Sequence, residues 1–153
     1  MLRIGKLTDY ATVVMAELAE HPGECWSASQ VAEATRLELP TVAKVLKTLA
    51  RSRLIESVRG VNGGYRLCDP ADSVSVAAII RAMEGPIALT ECSLEPGLCS
   101  REQDCSLKGN WQRIGETVEN ALESLSLADL AAPRDPGLRL VTRTSPAVAE
   151  PSK

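Results

Sequence analysis

Leu39-Pro40-Thr41-Val42-Ala43-Lys44-Val45-Leu46-Lys47-Thr48-Leu49-Ala50-Arg51 decides the fold class together with the stretch that follows Arg53, Leu54-Ile55-Glu56-Ser57-Val58-Arg59-Gly60-Val61-Asn62-Gly63-Gly64-Tyr65-Arg66-Leu67-Cys68. In the first run Val42, Val45, Leu46 and Leu49 recur at helical spacing, and Pro40 is tolerated because a first-turn amide needs no intrahelical partner. That stripe turns inward and leaves Thr41, Lys44, Lys47 and Arg51 on the outside. In the second, two short β-prone runs flank a glycine-rich turn, which is the pattern of a hairpin.

Toward the N-terminus, Ala11, Val14, Met15 and Leu18 form the stripe of an amphipathic helix that starts near Lys6 and ends near His21-Pro22-Gly23. Thr8 or Asp9 is expected to cap it, and Ser27 to cap a short helix over 28–35. Three helices followed by a hairpin predict a mainly α protein with a winged helix-turn-helix. The expected division is a DNA-binding region at 1–68, a cysteine loop and dimerisation helix at 69–131, and a disordered tail at 132–153.

Beyond the hairpin, residues 74–84 read as a further helix ending at Gly85-Pro86, and 87–105 as an irregular loop. From Trp111 the apolar residues step through Ile114, Val118, Ala121 and Leu125, with Leu122 beside them. This is a heptad seam, and it predicts a long C-terminal helix through which two copies pair. From Pro133 the chain is rich in Pro, Ser, Thr and Arg and shows no periodicity.

Charge sharpens the reading. The 153 residues carry a net charge of -3, yet residues 36–68 hold seven basic and two acidic side chains. A local cationic excess in an acidic protein marks a polyanion-binding face. Thr41 and Lys44 suit base edges, while Lys47, Arg51 and Arg53 suit phosphates. Arg59, near the hairpin tip, suits a minor groove. Gly63 and Gly64 are expected to give the wing positive φ angles and close approach to the DNA backbone.

Composition excludes other classes. Aromatic residues make up 3% of the chain and there is one histidine, leaving little material for a base-stacking sheet or a His-centred catalytic triad. No apolar run approaches a membrane span, and the N-terminus lacks a secretory signal pattern, so a cytoplasmic, non-membrane protein is expected. Five cysteines are present, three of them as Cys92-x6-Cys99-x5-Cys105. In a reduced compartment an odd, clustered set points to a metal rather than to disulfides, and no CxxC pair supports a zinc ribbon or a thiol redox couple. Thiolates are soft ligands suited to iron-sulfur clusters. Cys25 and Cys68 are expected to be packing residues, and His21 a surface residue.

Lys6-Leu7-Thr8-Asp9-Tyr10-Ala11, Val58-Arg59-Gly60 with Gly63-Gly64-Tyr65, the three-cysteine loop and Ser126-Leu127-Ala128-Asp129-Leu130 together resemble the IscR/NsrR family of iron-sulfur winged-helix transcription regulators over residues 1–131. Met1-Leu2-Arg3 and Trp111-Gln112-Arg113-Ile114 are most similar to the branch that regulates the SUF cluster-assembly operon. The resemblance implies a homodimer that binds a double-stranded DNA operator, carries no enzymatic activity, and holds a cluster on Cys92, Cys99 and Cys105, with 2Fe-2S expected and 4Fe-4S as the alternative.

Where the IscR branch has a histidine as fourth ligand, this chain has Lys108, whose ammonium must lose its proton to coordinate. Asp9 stands where the NsrR branch donates an acidic ligand from the partner subunit. It is preferred to a small thiol, water or Lys108, against the simpler reading of a carboxylate stabilising the start of helix one. The expected function is a cluster-sensing repressor of SUF genes. The alternatives are a nitric-oxide sensor of the same fold and, further off, an iron-sulfur redox protein or a structural zinc module.

Overall fold

The computed structural model describes residues 3–95 and 97–132; the tail expected at 132–153 lies, apart from Ala132, outside them. Helix α1 spans Lys6–Glu20, α2 Ala28–Thr35 and α3 Leu39–Arg51. Strands β1, Ile55–Val58, and β2, Gly64–Leu67, form an antiparallel pair in which Ile55 faces Leu67 and Val58 faces Gly64. Helices α4, Val76–Glu84, α5, Glu91–Leu94, α6, Lys108–Glu123, and α7, Leu127–Ala131, complete the chain. Helices α1 to α3 and the hairpin make a winged helix-turn-helix, and the fold is mainly helical.

The stripes read from the sequence are the core. Ala11, Val14, Met15 and Leu18 of α1 meet Val42, Val45, Leu46 and Leu49 of α3, with Val31, Ile55, Val74, Ile79 and Leu127 closing the cluster. The core therefore runs past residue 68. The chain returns to it after α6, where the Val76 amide donates to the Leu125 carbonyl (2.8 Å) and the Leu127 amide to the Val74 carbonyl (2.7 Å).

Local capping explains two of the boundaries. Ser27 and Gln30 form a reciprocal capping box at the start of α2, and Ser126 with Asp129 does the same for α7. The start of α1 departs from expectation. Its cap position is Gly5, and neither Thr8 nor Asp9 caps it. Glu84, from the end of α4, supplies the acceptor instead, taking the Gly5 amide at 2.7 Å and the Thr8 hydroxyl at 2.5 Å on Oε1.

The heptad seam is also displaced. Helix α6 begins three residues before Trp111 and ends at Glu123, so Leu125 lies beyond it, with its carbonyl committed to α4. The loop expected at 87–105 contains the short helix α5. Among the described residues no helix is long and apolar enough to cross a membrane.

Candidate nucleic-acid interface and cysteine loop

Burial of the apolar side of α3 leaves Lys44, Lys47 and Arg51 exposed along the other side, with Thr41 half-buried near its start. The first turn of α3 contains no acidic residue, and its cap residue Glu38 makes no side-chain capping bond, so the first amides of the helix have no side-chain acceptor from their cap. Arg53, beyond the end of α3, adopts a left-handed conformation with φ 58°. The sequence offered no signal for this geometry, because a non-glycine residue reaches that region at a cost of roughly 1–2 kcal/mol that only tertiary context offsets.

The wing carries Arg59 exposed at its tip, beside Gly60 with φ +120°. Gly63 and Gly64 do not have the positive φ angles expected of them. They are needed for space inside the protein. A Cβ on Gly63 would lie 2.3 Å from the Val58 carbonyl oxygen, and one on Gly64 2.5 Å from the carbonyl carbon of Trp26. Trp26 is a wing residue that the sequence reading missed: its amide donates to the Tyr65 carbonyl (2.9 Å) and accepts the Tyr65 amide on its own carbonyl (2.8 Å). An isolated tryptophan after a loop gives no periodic signal for such a bridge. Across the hairpin Arg66 Nε donates to Glu56 Oε1 at 2.6 Å, a hydrogen bond that raises the guanidinium above its ordinary range and withdraws Arg66 from the free cations of this face.

The second constellation lies between α4 and α6. Cys92 sits on α5, Cys99 in the turn beyond it and Cys105 just before α6; all three are free thiols of intermediate exposure. The Cys92 sulfur lies 3.3 Å from the Thr90 hydroxyl. Cys68, expected to pack, is exposed, because strand β2 ends at Leu67. Cys25 is partly buried.

Glu102, which the sequence reading did not single out, organises the loop. Its Oε2 accepts the Gly97 amide at 2.6 Å and its Oε1 accepts Lys108 Nζ at 2.7 Å. The Lys108 bond, then the Gly97 amide, hold the Glu102 carboxyl below the usual carboxylate range. Lys108 is raised in turn, first by Glu102 and in lesser part by the Cys92 thiol. Its ammonium is therefore held charged and engaged, the state least suited to metal coordination. No spacing rule links residues six apart, so Glu102 left no trace in the sequence.

The thiols are brought onto one loop but not into one cage. Among the described residues, Cys92, Cys99 and Cys105 do not lie within 4.8 Å of one another, and Asp9 does not join them. Asp9 is exposed in the first turn of α1. Three partly exposed thiols on one loop, the last of them just before α6, nonetheless form a donor set of the kind that suits a thiolate-ligated cluster.

The exposed side of α6 is unusual for a monomer. Only Gly115 of this helix is buried, while Trp111 is 42% and Ile114 46% exposed. A hollow lined by Asn110, Arg113, Ile114, Glu116, Thr117 and Asn120 runs along it. The body-facing side is polar: Arg81 Nη1 and Nη2 donate to Glu119 (2.7 Å) and Glu123 (2.9 Å), and Ser75 donates to Glu123 (3.0 Å).

Solved structures share this architecture. CymR (YrzC), the global cysteine regulator of B. subtilis, is 30% identical with a TM-score of 0.67, over 86% of this chain and 97% of that one. IscR of T. potens is 30% identical with a TM-score of 0.64, over 84% and 85% respectively. The oxidized form of Staphylococcus aureus CymR is 31% identical with a TM-score of 0.64, over 88% and 99%. Residues 4–133 match the Rrf2 model, described as an iron-dependent transcriptional regulator. The chain belongs to the Rrf2 family of transcriptional regulators.

Proposed function

We propose that this protein is a homodimeric, DNA-binding repressor that responds to iron-sulfur cluster status and controls cluster-assembly genes of the SUF type, acting in the cytoplasm and without enzymatic activity. The observation that carries this reading is the presence, in one chain of this family, of an exposed cationic face on α3 and three free thiols on the loop between α4 and α6. Thr41 and Lys44 read base edges. Lys47, Arg51 and Arg59 hold the phosphates and groove walls. Two α6 helices pair through Trp111, Ile114 and Val118, which spaces the two α3 helices for a near-palindromic operator.

Cys92, Cys99 and Cys105 hold the cluster, and Asp9 of the second copy is the fourth ligand, since Lys108 is engaged by Glu102. When bound, such a cluster, 2Fe-2S in the first reading and 4Fe-4S in the second, supplies a redox-labile group whose loss registers oxidants, nitric oxide or iron shortage. Glu102 ties the segment between Cys92 and Cys99 to the start of α6, so rearrangement of the thiols moves the pairing helix. A nitric-oxide-sensing role is the second reading. It is favoured by the exposed carboxylate of Asp9, a weaker ligand than thiolate and easily displaced. The test is selection of genomic fragments by the anaerobically prepared protein. Enrichment of promoters of cluster-assembly genes supports the first reading, promoters of nitric-oxide detoxification genes favour the second, and no enrichment contradicts both.

A further inference from the structure

The single histidine lies far along the chain from the cysteine loop, in a donor group of its own. Glu17, Glu20 and His21, at the end of α1, bring two carboxylates and an imidazole nitrogen within 4.8 Å of one another. His21 Nε2 is 3.6 Å from Glu17 Oε1, and Nδ1 is 3.8 Å from Glu24 Oε2. Both separations exceed the roughly 2.7–3.2 Å of N–H···O hydrogen bonds. The Glu17 separation lies near a coordination edge instead, because donors held about 2.1 Å from a tetrahedral centre sit about 3.4 Å apart.

Three further features bear on the same point. Glu24 stands on the far side of the imidazole from Glu17, where its Oε2 accepts the Trp26 indole Nε1–H at 3.2 Å. The ring is stacked on Trp26, with centroids 4.1 Å apart, which holds its orientation. Finally, the last turn of α1 contains no basic residue, so the negative end of the helix dipole is left for another cation.

We propose that the end of α1 binds a divalent first-row cation through His21, Glu17 and Glu20. Two carboxylates and one imidazole suit Mn²⁺, Fe²⁺ or Zn²⁺, with water completing the shell. Because Trp26 is bonded through its backbone to Tyr65, a cation held against its indole partner fastens α1 to the wing. The site is independent of the cysteine loop and stands whether or not the loop carries a cluster.

The probe is Mn²⁺ alone, which prefers oxygen and nitrogen donors to thiolates. The full chain is titrated while the electron paramagnetic resonance of free Mn²⁺ and the tryptophan emission are followed. One Mn²⁺ per chain should be taken up with quenching of Trp26. H21Q and E17Q should each weaken uptake about tenfold or more, with the circular dichroism of the metal-free chain unchanged. E20Q repeats the test should either variant misfold. W26F should abolish the quenching and keep the uptake. A parent chain that takes up no Mn²⁺ at millimolar concentration overturns the assignment. So does uptake that survives H21Q, E17Q and E20Q, or that is lost only with C92S.

Discussion

Glu84 Oε1 accepts the Thr8 hydroxyl at 2.5 Å, joining the last residue of α4 to the first turn of α1 across 76 positions of sequence. Thr8 is buried, and Asp9 follows it; the cysteine loop follows Glu84 through Gly85, whose φ is +88°. One carboxylate thus ties the start of α1 to the end of α4 within each chain, so that the cysteine loop of one copy and the Asp9 it offers to the other copy are held by the same contact.

The Thr8 hydroxyl, then the Gly5 amide, hold the Glu84 carboxyl below its ordinary range. Since the folded state binds this proton less readily than the unfolded one, the contribution is complete above the usual carboxylate range and is lost as pH falls below about 4. Urea midpoints measured from pH 7 to pH 3 should fall more steeply for the parent than for E84Q, and the two curves should converge at the acid end. T8V, which removes one donor, should cost about 1 kcal/mol at pH 7.

Gly64→Ala forces a Cβ against the carbonyl of Trp26. The wing must shift while the helical core, which contains no part of Gly64, remains. DNA affinity measured by fluorescence anisotropy should drop sharply, with the far-UV circular dichroism of the helices preserved. Unchanged affinity would remove the wing from the interface.

On α3 the exposed cations should separate by role. Lys47→Ala should weaken specific and non-specific DNA alike and lower the slope of log K against log salt by about one. Lys44→Ala should cost about 1–3 kcal/mol on the operator and little on random duplex. Parent-like operator binding by both K44A and R59A would show that DNA is read elsewhere.

Helix α6 exposes Trp111 and Ile114 and buries only Gly115 within the chain. Replacing Ile114 and Val118 with glutamate should yield monomer in sedimentation velocity, with little change in the thermal stability of the winged body. Operator affinity should collapse, because each monomer offers one half-site about 34 Å or a multiple of it from where its mate would be. A double variant that remains dimeric places the seam on another surface.

Helices α1 to α4 and the hairpin were legible because their signals are periodic and local: Val42, Val45, Leu46 and Leu49 announce α3, and Ser27 announces the start of α2. What escaped reading depends on partners distant in sequence. The acceptor at the start of α1 is Glu84 rather than Thr8 or Asp9, the wing's third segment is Trp26, and the loop is held by Glu102. Gly63 and Gly64 illustrate the difference. The sequence marks that glycine is needed there, but only the positions of Val58 and Trp26 show that the reason is space and not φ.

Cys92, Cys99 and Cys105 are proposed to hold an iron-sulfur cluster. Anaerobic purification followed by iron and acid-labile sulfide analysis, alongside the visible absorption spectrum, tests it most directly. Equal amounts of iron and sulfide are expected, with thiolate-to-iron charge transfer abolished in C92S, C99S and C105S, retained in C25S and C68S, and altered in D9A. Zinc in place of iron, no metal at all, or a cluster that survives all three loop substitutions would contradict it.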